Sequence, residues 1–474
     1  MCGIVGFISD NQDEELIKKL VSDLEHRGPD ESGYEIIKTN TGYLHLGSSR
    51  LSITGLLDGK MPMSDSDKNC LIYNGELYEI DKLKSKFNFS TKTKSDTKVL
   101  FEILKRNDPT AISELNGMFA FSFFNSHKNE LVLGRDKLGI KPIYYSQNKR
   151  FSIIFSSEIK PLLSNNLIEK TIHSSAIESY ILFSGFNSKE QIINNVHAVE
   201  PGELIIFKDN KIKKTKYFSL KDFQDLDIEN QNNFSTVLRE VVNDQLIAEV
   251  PVNILLSGGI DSSLIASVIN SEETIVNAFN LSYKDKEYDE SSKARLIASE
   301  LGINLKVFEF DVKKNNEIID EIFEKLPEPI SDPSIVPTYY LSKMVSEHTK
   351  AVLVGDGADE LFAGYEWYRG MYISQYIPKF IEPAINKISK SKLLNNGNYL
   401  PLADKVLLFT EYSDMPYDEK LLFWQSFSDR DGKNLSKQRS ILQDYLKTIE
   451  LKSSKDTFEN IRLIDLQTYL YTNI

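Results

Sequence analysis

One stretch limits the architecture more than any other. In NILLSGGIDSSLIAS an apolar strand, Asn253–Leu256, runs into Ser257-Gly258-Gly259, and Asp261-Ser262 then opens an apolar helix. A strand, a glycine turn and a helix in that order form one unit of a parallel sheet. The flanking chain repeats the alternation. Helix Phe234–Ile247 precedes the unit. Strand Val276–Leu281, helix Glu290–Glu300, strand Lys306–Phe310, helices Lys314–Lys325 and Thr338–His348, and strand Ala351–Val354 follow it. This pattern predicts a parallel sheet with helices on both faces. From Gly370 onward the pattern reads as helical, with no strand.

The glycine turn has two readings. Gly258 and Gly259 let backbone N–H groups approach an anion, and a helix N-terminus adds partial positive charge, so the turn can cradle phosphate. It can equally be a plain strand-to-helix turn capped by Ser or Asp. No Gly-Lys-Ser/Thr follows, so it is not an ordinary nucleotide-triphosphatase loop. A second cluster, Gly355-Asp356-Gly357-Ala358-Asp359-Glu360, stands just past strand Ala351–Val354. In a parallel sheet that end of a strand faces the ligand crevice, where carboxylates can hold Mg²⁺. The alternative is a turn with an acidic helix cap. Lys and Arg number 56 against 69 Asp and Glu, a net charge of −13. That balance argues against nonspecific nucleic-acid binding and makes a backbone cradle the economical way to hold phosphate.

The first 205 or so residues have another character. Short strand-like runs dominate: Leu44–Ile53, Cys70–Tyr73, Phe119–Phe124, Leu131–Gly134, Phe151–Ser156 and Glu203–Phe207. Helical patterns at Glu14–Arg27 and Thr97–Asn107 interrupt them, which suggests a layered α+β domain. Residues 208–233 are polar and charged and read as a connector with a stray edge strand. The expected division is therefore 1–207, a linker 208–233, and 234–474. No apolar run approaches membrane-spanning length, and no charged-then-apolar leader is present, so a cytoplasmic protein is expected.

Cys2 follows the initiator directly. A small second residue permits methionine removal, which would leave an α-amine beside the thiol, able to take its proton. With six histidines and two cysteines in the chain, there is little room for a histidine base or a thiolate metal centre. Cys70 reads as a buried strand residue. Arg50 is either a surface strand charge or a fork for a carboxylate. Asn74-Gly75 is either a hairpin turn or a pair of oxyanion donors. Asp96 either caps the following helix or holds an ammonium group. His26 and Arg27 read as structural, and Lys141 and Glu158 as positioning or interface residues.

SGGIDSS as a whole resembles the pyrophosphate loop of ATP pyrophosphatases, which cleave ATP between the α and β phosphates and adenylate a substrate. Together with MCGIVGF, HRGPDESG, RLSI, YNGELY, SDT, LNGMFAF, GRDKLGIKPIYY, FSSEIK, EPISDPS and GDGADELFAGY, it resembles the glutamine-hydrolysing asparagine synthetase family. These pieces stand in family order across nearly all of residues 1–365. The resemblance implies an N-terminal-nucleophile (αββα) class II glutamine amidotransferase domain. An α/β parallel-sheet ATP pyrophosphatase domain of the adenine nucleotide α-hydrolase type would follow it.

The roles follow by matching position. Cys2 would attack the glutamine amide, forming a thioester and freeing ammonia. Arg50, Leu51 and Ile53 would seat the α-carboxylate, Asn74 and Gly75 the oxyanion, and Glu76 and Asp96 the α-amino end. Leu255, Ser257, Gly258, Gly259, Asp261 and Ser262 would cradle ATP, with Val354 and Gly355 near the adenosine. Asp261 and Asp359 would hold Mg²⁺. Aspartate would attack the α-phosphate to give an acyl-adenylate, and ammonia passed between the domains would displace AMP. The implied partners are glutamine, aspartate and ATP, and a homodimer is allowed.

Two departures are visible. Asp356, a candidate catalytic carboxylate, stands where many family members carry Glu. DLQTYLYTNI at the end of the given chain resembles the helix preceding the family's Lys-Asp-Arg segment and later lysine. From these follow the expectation of a weakened synthetase with an intact glutaminase half, and two alternatives. One is amidation of another carboxylate, a sugar acid or peptide precursor, through acceptor loops around Tyr283–Glu290 and Ser331–Pro337. The other is a chain retaining only glutaminase or ligand binding.

Overall fold

Along β1 (Gly3–Ser9) apolar side chains alternate between two buried faces, with Ile4 and Ile8 on one and Val5 and Phe7 on the other. A strand buried on both faces has a layer on each side of its sheet. The computed structural model describes residues 1–89, 93–106, 108–183, 191–221, 234–271, 276–284, 289–311, 316–326, 328–330, 332–374, 415–425, 435–449, 457–468 and 470. Positions 285–288 and 331 of the expected acceptor loops, 222–233 of the expected linker and most of the chain after 374 lie outside these residues.

β1 joins β2 (Glu31–Thr39), β3 (Gly42–Arg50), β8 (Tyr144–Ser146), β9 (Ile153–Ser156) and β10 (His197–Ala198) in the order β10-β8-β9-β1-β3-β2. A second sheet runs β12-β11-β7-β6-β5-β4. It contains β4 (Met63–Ser64), β5 (Cys70–Leu77), β6 (Gly117–Asn125), β7 (Glu130–Arg135), β11 (Glu203–Lys208) and β12 (Lys211–Lys216). Every pairing in both sheets is antiparallel. Ile4, Leu44 and Leu46 from the first sheet and Ile72, Ala120 and Leu133 from the second share one core between them. Helix Glu14–Ser22 covers the outer face of the first sheet through Ile17 and Leu20. Helix Asp96–Lys105 covers that of the second through Val99, Leu100 and Ile103. The result is four layers, helix-sheet-sheet-helix.

The expected edge strand in the polar stretch after Lys208 is β12, whose outer position tolerates its four lysines. The hairpin reading of Asn74-Gly75 is overturned. Both lie inside β5, opposite Ala120 and Phe119 of β6. Eight consecutive cross-strand partners outweigh the local turn preference. Glycine is needed at 75 because a Cβ there would stand 2.3 Å from the Met118 carbonyl oxygen.

In the second half β13 (Val252–Leu255), β14 (Asn277–Tyr283), β15 (Asn304–Phe310) and β16 (Ala351–Leu353) form a parallel sheet in the order β15-β14-β13-β16. Ala278 faces a core with helices Ile260–Ser271 and Ser291–Leu301, while Phe279 and Leu281 face Val345 of helix Ile335–Ser346. Helices thus cover both faces. The chain leaves β13 toward β14 on one side and returns as β16 on the other, so the crevice between the ends of β13 and β16 is the topological switch point. Beyond it, Tyr368, Met371, Leu421, Leu442 and Ile464 close a separate helical core. No described helix is long and apolar enough to cross a membrane.

Candidate functional site

Two sites emerge, one in each half. In the first, Cys2, just ahead of β1, lines a cavity of about 60 Å³. Arg50, Leu51, Ile53, Asn74, Gly75, Glu76 and Asp96 all line it, so the structure gathers the whole predicted set from four separate segments. Cys2 is 9% exposed, and its Sγ points to the Leu51 carbonyl oxygen at 3.9 Å. Burial raises its thiol pKa, so the thiolate needs a base close by.

The chain end around Cys2 is fastened firmly. Arg27 Nε donates to the Cys2 carbonyl at 3.0 Å, and Arg27 Nη1 donates to Glu158 Oε1 at 2.8 Å. Ile4 N–H donates to Ser157 Oγ at 3.0 Å. Arg27, expected to be structural, and Glu158, expected to position or line an interface, together hold the backbone at Cys2. Burial pushes the Met1 amine down to about 6. Lys141, 6% exposed, directs its Nζ at Met1 Sδ across 2.9 Å, and burial lowers it to about 8.

Asn74 is fully buried, and neither its Oδ1 nor its Nδ2 has a hydrogen-bond partner. An unpaired buried amide costs about 1–3 kcal/mol. One that lines a cavity is therefore poised for a ligand's polar atoms. The Arg50 guanidinium turns to protein acceptors, Glu31 Oε2 at 2.9 Å and the Thr54 and Gly55 carbonyls at 2.9 and 2.8 Å. It shapes the pocket loop as well as charging it. Ser95, not Asp96, caps the helix, with its Oγ accepting the Lys98 N–H at 3.2 Å. The Asp96 carboxylate instead turns inward. It accepts from Tyr73 OH at 3.0 Å, Leu77 N–H at 3.2 Å and Thr54 Oγ1 at 3.1 Å. Burial raises both Asp96 and Glu76 above the usual carboxylate range, and the nearby Asp96 charge raises Glu76 further. Thr54, Tyr73 and Met118 also line the cavity and were not singled out in the sequence; the inward alternation of β5 alone pointed to Tyr73.

In the second site β13 delivers Ser257–Gly259 to the start of helix Ile260–Ser271. Ser257 N–H donates to Ser262 Oγ at 3.2 Å, and Gly259 N–H to Ser257 Oγ at 3.1 Å, closing the loop on itself. Asn280 on β14 braces it from beneath, its Nδ2 donating to the Leu256 carbonyl at 2.8 Å. Gly258 has φ +87°, and a Cβ there would meet Ala294 N and Lys293 Cβ at 2.8 Å, so only glycine fits. Leu255, Ser257–Gly259, Asp261 and Ser262 lie on this side of the crevice. Val354 and Gly355 lie on the other, beyond β16, which pairs with β13 through Leu353 and Ile254. The two loops touch, since a Cβ on Gly355 would stand 3.2 Å from Asp261 Cβ.

Burial raises the carboxyls of Asp356 and Asp359, and the nearby Asp261 raises Asp359 further. Among the described residues no group of three metal-binding side chains exists. Two adjacent carboxylates beside an anion cradle suit a hard cation that shares its coordination with phosphate oxygens and water, the habit of Mg²⁺.

Residues 1–218 match the glutamine amidotransferase domain family, and residues 233–474 match the asparagine synthase family. A putative glutamine-hydrolysing asparagine synthetase of Methanocaldococcus jannaschii is 32% identical over 83% of this chain and 82% of its own length. Glutamine-hydrolysing asparagine synthetase 1 of Bacillus subtilis is 33% identical over 78% of this chain and 60% of its own length. An amidase of Penicillium rubens is 30% identical over 79% of this chain and 61% of its own length.

Proposed function

The chain belongs to the asparagine synthase family, and from that membership we propose a glutamine-dependent amidotransferase that makes asparagine from aspartate, glutamine and ATP. The observation that carries the reading is the unpartnered Asn74 amide in the cavity that holds Cys2, the buried Asp96 and the half-buried Glu76. With Met1 removed, the α-amine of Cys2 takes the thiol proton, and the sulfur attacks the glutamine amide carbon. Asn74 Nδ2 and Gly75 N–H receive the developing oxyanion. Collapse expels ammonia, the amine having returned the proton, and leaves a thioester that water hydrolyses to glutamate. Glu76 and Asp96 hold the substrate ammonium, and Arg50, with the backbone of Leu51 and Ile53, seats its carboxylate.

In the second half, the loop Ser257–Ser262 binds the phosphates of ATP, and Val354 and Gly355 border the adenosine. Asp261 and Asp359 would hold Mg²⁺, which when bound neutralises charge on the departing pyrophosphate. Asp356 is the candidate catalytic carboxylate of this half. The acceptor attacks the α-phosphorus, pyrophosphate leaves, and ammonia displaces AMP from the adenylated carboxyl. Delivery within one chain has a physical reason: ammonia released into neutral water is protonated and loses its lone pair. ATP and glutamine are both cytoplasmic metabolites, which supports a cytoplasmic site for the activity.

Glutamine carrying ¹⁵N in its amide tests the reading. Asparagine carrying the label, with one AMP formed per amide, is the expected product, and glutamate without labelled amide overturns it. Asp356 and the relation to the Penicillium amidase favour one second reading, in which another carboxylate replaces aspartate. AMP release across a panel of carboxylates separates the two.

A pH effect follows from the carboxyl pair. A substrate ammonium binds the ionised pair, so a raised carboxyl must lose a proton on binding. Glutamine KM is therefore expected to fall as pH rises across the neutral range and to level off once the pair is ionised in the free enzyme. KM measured at a series of pH values checks this, and Glu76→Gln should flatten the curve while raising KM throughout.

A further inference from the structure

The loop Leu51–Leu56, one wall of the Cys2 cavity, is held from the other half of the chain. Glu249 N–H donates to the Ile53 carbonyl at 3.0 Å, and Leu56 N–H donates to Glu249 Oε2 at 3.0 Å. Lys350 Nζ lies 2.7 Å from Asp30 Oδ2, the same oxygen that accepts the Ser52 N–H at 2.8 Å. Asp30 N–H in turn donates to the Arg50 carbonyl at 3.1 Å. Within its own half the loop is held in the middle, by Arg50 Nη2 at the Thr54 and Gly55 carbonyls and by Asp96 at Thr54 Oγ1; Glu249 adds a hold on either side of these, at Ile53 and Leu56, from the other half.

The two anchors have a telling place in the fold. Glu249 precedes β13 and Lys350 precedes β16, and these strands pair in parallel from Val252 and Ala351. Their far ends carry Ser257–Gly259 and Gly355–Asp359. Each anchor is thus joined to one wall of the anion crevice by a single short strand.

We propose that Glu249 and Lys350 are positioning residues for the glutamine pocket, supplied by the ATP-binding half, so that this pocket takes its working shape only with both halves in contact. The proposal rests on the reading of the Cys2 cavity as the glutamine site. Contact through the loop fixes where the substrate carboxylate sits, while Asn74 and Gly75 belong to β5, which β6 pairs along its length, and Cys2 is fastened by Arg27 at its carbonyl, touching the loop only through its Sγ, 3.9 Å from the Leu51 carbonyl oxygen. The effect should therefore fall on KM. By linkage, a ligand that tightens the crevice tightens the glutamine pocket, and the reverse holds equally.

The test uses the full chain with Glu249→Ala, Lys350→Ala and the conservative Glu249→Gln, which keeps an oxygen acceptor for Leu56 N–H. Each alanine variant is expected to raise glutamine KM about tenfold, within the usual range for coupled sites, with kcat for glutamate release nearly unchanged. Deuterium exchange in peptides covering 51–56 should quicken in both alanine variants. Glu249→Gln should restore both readouts. Unchanged KM in the two alanine variants overturns the proposal. If the unaltered chain releases no glutamate, the glutaminase reading fails on its own, and exchange then decides: quickened exchange supports the anchors and unchanged exchange overturns them.

Discussion

Cys2→Ala is expected to lower glutamine hydrolysis by about 10⁴-fold or more, the scale seen when a covalent nucleophile is removed. The sulfur has no understudy. Cys70, the only other cysteine, is fully buried in the core between the sheets, and its thiol is raised far beyond any reactive range. No described histidine lines the cavity. The groups proposed to bind and polarise the amide, Asn74, Gly75, Glu76 and Asp96, all remain in the cavity but have nothing to attack it with. Ammonium salts added at high concentration should restore amide formation, because the adenylating half can take its nitrogen from solution. Glutamate release and amide formation measured side by side check both limbs. Glutamate release that survives in Cys2→Ala would remove the nucleophile from the account.

Gly258→Ala carries the second largest effect. The added Cβ meets Ala294 N and Lys293 Cβ at 2.8 Å, neither of which is the free end of a side chain. Alanine at φ +87° also costs about 1–2 kcal/mol of backbone strain. The loop must shift, and with it the N–H groups proposed to hold the phosphates. Misplacement by about 1 Å is enough for a 10²-fold loss, so ATP-dependent pyrophosphate release should fall by about that factor or more. Pyrophosphate release with saturating ammonium isolates the step from glutamine chemistry. Gly259→Ala makes a useful contrast. Its nearest neighbour is Ser257 Oγ at 3.2 Å, and its φ is not positive, so its loss should be smaller.

What could be read from residues alone follows the distance over which each signal acts. The glycine loop, Asp261 and the acidic turn at Gly355–Glu360 were legible because a strand end, a glycine and a helix start lie within a few residues of one another. β1 and β2 were not recognised as strands. β1 is covered on both faces and shows a near-continuous apolar run, and β2 is mostly half-exposed with mixed polarity. Asn74-Gly75 misled in its local reading because a hairpin preference acts over four residues, whereas pairing with β6 acts over eight. The inward turn of Asp96 was hidden by its neighbour, since Ser95 and Asp96 are both good helix caps and only the fold decides between them. Thr54 reaches the cavity through a loop, and Glu249 reaches that loop from far along the chain. No periodicity records such contacts.

β5 has a consequence beyond its place in the sheet. Its first residues, Cys70 to Tyr73, are clamped from both sides by hydrophobic layers, and the next three, Asn74 to Glu76, line the cavity that holds Cys2. The business end is a cantilever whose stiffness is borrowed from oil-filled masonry behind it. Inherited or engineered changes at Tyr73, Ile72 or Phe121 would then surface first as blunted turnover in a protein that still assembles, and a survey scoring solubility alone would pass them as harmless.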